Sequence, residues 1–130
     1  MDRMDEMKTL DDQTATVIGI AYEVMNEVGC GLREKAYERA MVREFQLRSI
    51  PWDQQRSFPV HYKDTQIDTL IPDLIVFDRI IVDTKTIKFV TDVELAQMLS
   101  YLKINKLPAG LIINFGKPQV EIKRVHPLHK

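Results

Sequence analysis

The stretch from Leu70 to Lys85 constrains the fold more than any other part of the chain. Leu70-Ile71-Pro72-Asp73-Leu74-Ile75-Val76 ends a run read as one strand from Gln66 to Val76, and Ile80 to Thr86 is rich in β-branched residues. The short link Phe77-Asp78-Arg79 folds the second run back antiparallel on the first. With the turn centred on Asp78, antiparallel pairing sets Asp73 opposite Asp83. Aspartate is depleted in strands, and Pro72 has no backbone donor, so Asp73 belongs at an edge, a bulge or an early strand position. A sheet carrying an acidic interruption is required.

The remaining elements follow from periodicity. From Asp12 to Val28, apolar Val17, Ile20, Ala21, Val24, Met25 and Val28 recur at helical spacing, and Gly29-Cys30-Gly31 closes the helix. A second helix runs from about Arg33 to Leu47, short of Pro51. Arg56 to Tyr62 pairs with the strand from Gln66 across Lys63-Asp64-Thr65. Thr91 or Asp92 caps a third helix with Leu95, Met98, Leu99 and Leu102 as its stripe. Ala109 to Phe115 and Gln119 to Val125 are the last strands, joined by Gly116-Lys117-Pro118. The order α, α, β, β, β, α, β, β suits one mixed sheet covered by helices.

At 130 residues with 45% hydrophobic and 28% charged positions, one domain spanning 1–130 is expected, with 1–11 as a flexible N-terminal segment. Apolar runs such as Leu111-Ile112-Ile113 are far too short for a bilayer span, and the acidic N-terminus is unlike a secretory signal, so a cytoplasmic protein is expected. The single Cys30 agrees with that. From Lys85 onward eight basic residues face three acidic ones, a net of +5, while the first 84 residues carry −6. That division fits a molecule whose C-terminal half meets phosphates while carboxylates elsewhere hold a cation; it also fits charge scattered over a solvated surface.

Chemistry is expected where polar residues interrupt apolar patterns. Glu34 falls on the stripe of Tyr37, Met41 and Phe45, so it either needs a partner or meets the helix dipole at the solvent edge of the first turn. Asp83 and Lys85 share one strand face. Two carboxylates facing each other require something positive between them, and oxygen-only ligands select Mg²⁺ or Mn²⁺. Lys85 would then orient or deprotonate an attacking water as a lysine of partly depressed pKa, and stabilise charge on a phosphate. An Asp83–Lys85 ion pair on a solvated face is the competing reading. Cys30 is expected to be a buried or incidental thiol, and Trp52 a packing residue or a base-stacking platform. His61, His126 and His129 lack zinc-ligand spacing, and no ATP or NAD fingerprint is present.

Gly31-Leu32-Arg33-Glu34-Lys35-Ala36-Tyr37, Pro72-Asp73 and Asp83-Thr84-Lys85 together resemble the GxxExxY proteins, a branch of the PD-(D/E)XK nuclease superfamily. The likeness continues through Gln97-Met98-Leu99-Ser100-Tyr101, similar to the QxxxY helix of RecB-type nucleases, and through Gly110 to Gly116. It implies an α/β (α+β) fold with a restriction-endonuclease-like αβββαβ core, an extra N-terminal helix and a C-terminal strand. It implies a Mg²⁺- or Mn²⁺-dependent phosphodiesterase acting on nucleic acid, DNA before RNA. Asp73 and Asp83 would bind the metal, with Glu34 and the Thr84 carbonyl completing its shell, and Lys85 would activate water and stabilise the transition state. Gln97, Tyr101 and Lys88 would contact substrate. Asp83 stands where that branch more often has glutamate. The superfamily also includes members that bind without cutting, so a noncatalytic nucleic-acid- or protein-binding module is the alternative. A homodimer through the first helix or last strand is a further expectation.

Overall fold

Strand alternation sorts the sheet's apolar residues onto two faces, and the helices follow. In the computed structural model, which describes residues 2–128, the chain order is α1 (Arg3–Val28), α2 (Glu34–Leu47), β1 (Trp52–Gln54), β2 (Phe58–Tyr62), β3 (Thr65–Leu70), β4 (Leu74–Val76), β5 (Ile80–Lys85), α3 (Asp92–Asn105), β6 (Ala109–Asn114) and β7 (Glu121–Val125). Five strands form a mixed sheet in the order β1-β4-β5-β6-β7, with β5 and β6 parallel and the other neighbours antiparallel. Leu74, Val76, Ile80, Val82, Leu111 and Ile113 face α1 and α2, whose Val17, Ile20, Tyr37, Met41 and Phe45 complete that core. Ile75, Ile81, Ile112 and Val125 face the other way, against Met98 and Leu102 of α3. Strands β4 and β6 are wholly buried, as expected of strands covered on both faces.

The expected αβββαβ succession is present, but its first strand is different. The main sheet takes β1, β4 and β5 before α3, whereas Arg56 to Tyr62 supplies β2 of a separate two-stranded ribbon with β3. Left-handed Lys63 and Asp64 turn that ribbon. The single strand expected from Gln66 to Val76 is therefore two, β3 and β4. Pro72 has no donor to continue a ladder, and the Asp73 carbonyl instead accepts from Gln55 N at 3.4 Å. Beyond the break, Leu74 pairs with Val82 and Val76 with Ile80, the register inferred from a turn centred on Asp78.

Residues 3–11, expected as a flexible N-terminal segment, form the first turns of α1. Asp2 caps α1 by accepting from Asp5 N at 2.9 Å, Asp5 and Glu6 meet the dipole, and buried Leu10 and Thr14 extend the apolar stripe backwards. Met1 and His129 lie outside the described residues, as does Lys130. Val17, Ile20, Ala21, Val24 and Met25 of the α1 stripe are buried within the chain while Val28 is exposed, and β7 is an edge strand. Among the described residues no helix is long and apolar enough to cross a membrane.

Candidate active site

The β4–β5 hairpin brings its two aspartates together because the break at Pro72 leaves Asp73 just before β4, across from Asp83 near the end of β5. Ile81, Asp83 and Lys85 alternate onto the α3 face. Asp83 is buried, and its Oδ2 lies 3.2 Å from Lys85 Nζ, which is itself about one-fifth exposed. Burial, a hydrogen bond with Asp83, and the charges of Asp83 and Glu38 push the Asp73 carboxyl up to about 7, against a smaller opposing pull from Lys85. Two facing carboxylates repel, so the protonated form of Asp73 is favoured beside Asp83.

Burial alone would lower the Lys85 ammonium, but the carboxylates of Asp83, Glu34 and Asp73 outweigh it and hold Lys85 above the ordinary lysine range. Without a cation the shift thus runs opposite to the depression expected of a lysine beside a bound metal. An ammonium surrounded by acids is a fixed positive charge, so without a cation Lys85 is a donor and charge stabiliser, not a base.

Helix α2 supplies the acidic edge. Desolvation raises the Glu34 carboxyl, with Lys85 opposing and Asp73 and Glu38 reinforcing, so Glu34 belongs to the same field despite its exposed position in the first turn. Glu38, not among the acids singled out from the sequence, is a second acid on α2. It is 3% exposed and accepts from Lys35 Nζ at 3.1 Å and Gln54 Nε2 at 3.0 Å. Its signal was available, since it lies four residues from Glu34 and three from Met41 on the buried face.

Tyr37 fixes where α2 begins. Its ring stacks on Phe115 at 4.4 Å, its hydroxyl donates to Gly29 O at 2.6 Å, and the same oxygen accepts from Leu32 N at 3.1 Å. The turn it grips needs positive φ at Gly29 and Gly31. Tyr37→Phe leaves two polar groups of that turn unpartnered; we expect a loss of about 1–2 kcal/mol and a Tm lower by several degrees in thermal denaturation. An unchanged Tm would show that the hydroxyl does not hold the turn.

Helix α3 covers the site from the other side, begun by a capping box between Thr91 and Glu94. Gln97 Nε2 donates to Tyr101 Oη at 3.2 Å. Burial and then the charges of Asp83 and Asp73 raise the Tyr101 phenol, which stays a protonated donor near the aspartates. Lys88 is exposed on the segment between β5 and α3, and the principal charge interactions of Glu34, Asp73 and Lys85 do not involve it. The Thr84 side chain points to the opposite face, where its buried hydroxyl has no partner among the described residues, leaving only its carbonyl for the site. Cys30 is exposed, with its thiol 3.6 Å from Phe115 O, and Trp52 packs against the α1–α2 core.

Among the described residues no three Asp, Glu, His or Cys side chains converge as a ready metal cage. The donor set is instead two facing aspartates with acids set back from them. That set suits a hard cation keeping several waters.

A mixed sheet, helices on both faces and a paired acid beside a strand lysine define a restriction-endonuclease-like protein of α+β class. A family model for the PD-(D/E)XK nuclease superfamily matches residues 11–125, and the chain belongs to that superfamily. Neither a curated protein nor a solved structure matches the chain significantly. Members of the superfamily are in general hydrolytic nucleases that use divalent metals.

Proposed function

We propose that this protein hydrolyses phosphodiester bonds in nucleic acid, DNA before RNA, with Mg²⁺ or Mn²⁺ held by Asp73 and Asp83. The observation that carries the reading is Asp73 facing buried Asp83, whose Oδ2 lies 3.2 Å from the Lys85 ammonium: burial and that neighbour raise the Asp73 carboxyl, and a divalent cation would relieve the same repulsion. When bound, such a cation polarises a phosphoryl oxygen and acidifies a water. Glu34 and the Thr84 carbonyl complete the oxygen donors, while Glu38 adds negative charge from behind. Lys85 donates to the phosphate as negative charge grows there. Gln97 and Tyr101 offer neutral donors to the phosphate, and Lys88 offers charge from the adjoining segment. The finer assignment to the GxxExxY branch rests on Gly31, Glu34 and Tyr37.

The test is incubation of the purified protein with labelled single- and double-stranded DNA and RNA in Mg²⁺, Mn²⁺ or EDTA. Cleavage dependent on metal and on Lys85 is expected, and its substrate panel identifies the nucleic acid. Inertness with salt-dependent binding would replace the catalytic reading by a noncatalytic binding module.

A further inference from the structure

One lateral row of the sheet contains a polar side chain that the hydrolytic site does not use. In register, Lys85 on β5 lies beside Asn114 on β6, and Asn114 lies opposite Glu121 on β7. All three residues face α3. Asn114 is fully buried, where an amide costs free energy unless its hydrogen bonds are made. It makes them with the chain that leaves β5. Asn114 Nδ2 donates to Ile87 O at 3.0 Å and to Glu121 Oε1 at 3.1 Å, and Asn114 Oδ1 accepts from Ile87 N at 3.0 Å and Gly116 N at 2.9 Å. Both donors and both acceptor positions are used. The same Glu121 oxygen accepts from Val90 N at 3.0 Å, and Phe115 N donates to Lys85 O at 2.8 Å.

The backbone at residues 85, 87 and 90 is therefore clamped to β6 and β7 by one connected network. Gly116 allows the approach, since a Cβ there would lie 2.4 Å from Ile87 O and 2.5 Å from Ile87 N. A buried apolar residue at 114 would fill the sheet without fixing the segment. A fully satisfied amide adds little net stability over that but selects one backbone path.

We propose that Asn114, supported by Glu121, is a positioning residue that fixes the exit of β5 and so holds the Lys85 ammonium in its working place beside Asp83. The proposal rests on the hydrolytic reading of Lys85. It also gives Lys88, which projects from the clamped segment, a fixed origin.

The test uses the full chain as wild type, Asn114→Ala, Glu121→Ala and Glu121→Gln. It compares kcat and KM for Mg²⁺-dependent DNA cleavage, Tm, and amide exchange at Ile87 and Val90. Glu121 is at the sheet margin, so its variants stay informative even if Asn114→Ala fails to fold. We expect kcat to fall roughly tenfold in Glu121→Ala and roughly a hundredfold in Asn114→Ala, the scale of a small misplacement of a reacting group. KM stays within about twofold, as expected when an interaction made only in the transition state is lost. The two amides exchange faster, and Glu121→Gln, which keeps the accepting oxygen, behaves as wild type. Unchanged kcat in a folded variant with accelerated exchange overturns the proposal, as does a rate loss matching only the unfolded fraction. If wild type itself does not cleave, the hydrolytic reading has failed on its own. Positioning is then read from the Lys85 Cε resonance: a shift in Glu121→Ala supports the clamp, and no shift overturns it.

Discussion

Lys85→Ala is expected to lower metal-dependent cleavage by roughly 10²–10³-fold, the loss typical when a preorganised donor to developing charge is removed. Lys85 is the cation of the site, 3.2 Å from Asp83 and kept charged by Asp83, Glu34 and Asp73. Its removal leaves those carboxylates facing one another with less compensation, so the Asp73 carboxyl is raised further in the metal-free variant. The folded structure should survive, because protonation relieves what the ammonium did. Binding of nucleic acid should fall far less than turnover, since Gln97, Tyr101 and Lys88 remain. Lys85→Arg should not restore the rate, as a planar fork cannot occupy the place of a compact ammonium on a flexible stem. Steady-state cleavage beside direct binding separates these effects. Equal cleavage by wild type and Lys85→Ala would remove the lysine from the mechanism and point to a contaminating activity.

How far the sequence reached depends on which interactions it encodes locally. The β4–β5 register was legible because a three-residue link and two apolar runs admit one pairing, and Leu74 opposite Val82 fulfils it. The start of α3 was legible to within one residue, Thr91 or Asp92, and the capping box with Glu94 selects Thr91. Strand β1 was not, since Trp52-Asp53-Gln54 acquires strand character only by pairing with β4, about twenty residues later. The start of α1 was missed because acidic Asp2, Asp5 and Glu6 read as solvated chain until one sees them as a cap and dipole partners. At the site, spacing placed Asp73, Asp83 and Lys85 together. It did not give the direction for Lys85 without a cation, because that depends on how many carboxylates surround one ammonium in space. Glu38 and Asn114 escaped for a related reason: each is a buried polar residue whose partners come from distant strands or loops.

Asp73→Asn is expected to have two opposite effects, loss of cleavage by roughly 10²-fold or more and gain of metal-free stability above neutral pH. The sign follows from the proton. The native carboxyl titrates at about 7 against an ordinary value of 3.8, so the folded chain binds this proton more tightly than the unfolded one. Below about 4 both states are protonated and Asp73 costs nothing. As pH rises from about 4 to about 7 the unfolded chain releases the proton first, and stability falls; above that the full cost persists. Discounted for partial solvation, the cost is on the order of 2 kcal/mol. Asparagine carries no charge and can donate to Asp83 as the protonated acid does. In EDTA, Asp73→Asn should therefore melt several degrees above wild type at pH 8, with the difference vanishing toward pH 4. Mg²⁺ should raise the Tm of wild type at pH 8 and of the variant much less, because a ligand stabilises only the state that binds it. Equal stabilisation of both by Mg²⁺ would show that Asp73 is not a ligand. A variant no more stable than wild type in EDTA at pH 8 would show that the two aspartates do not compete for charge in the folded chain.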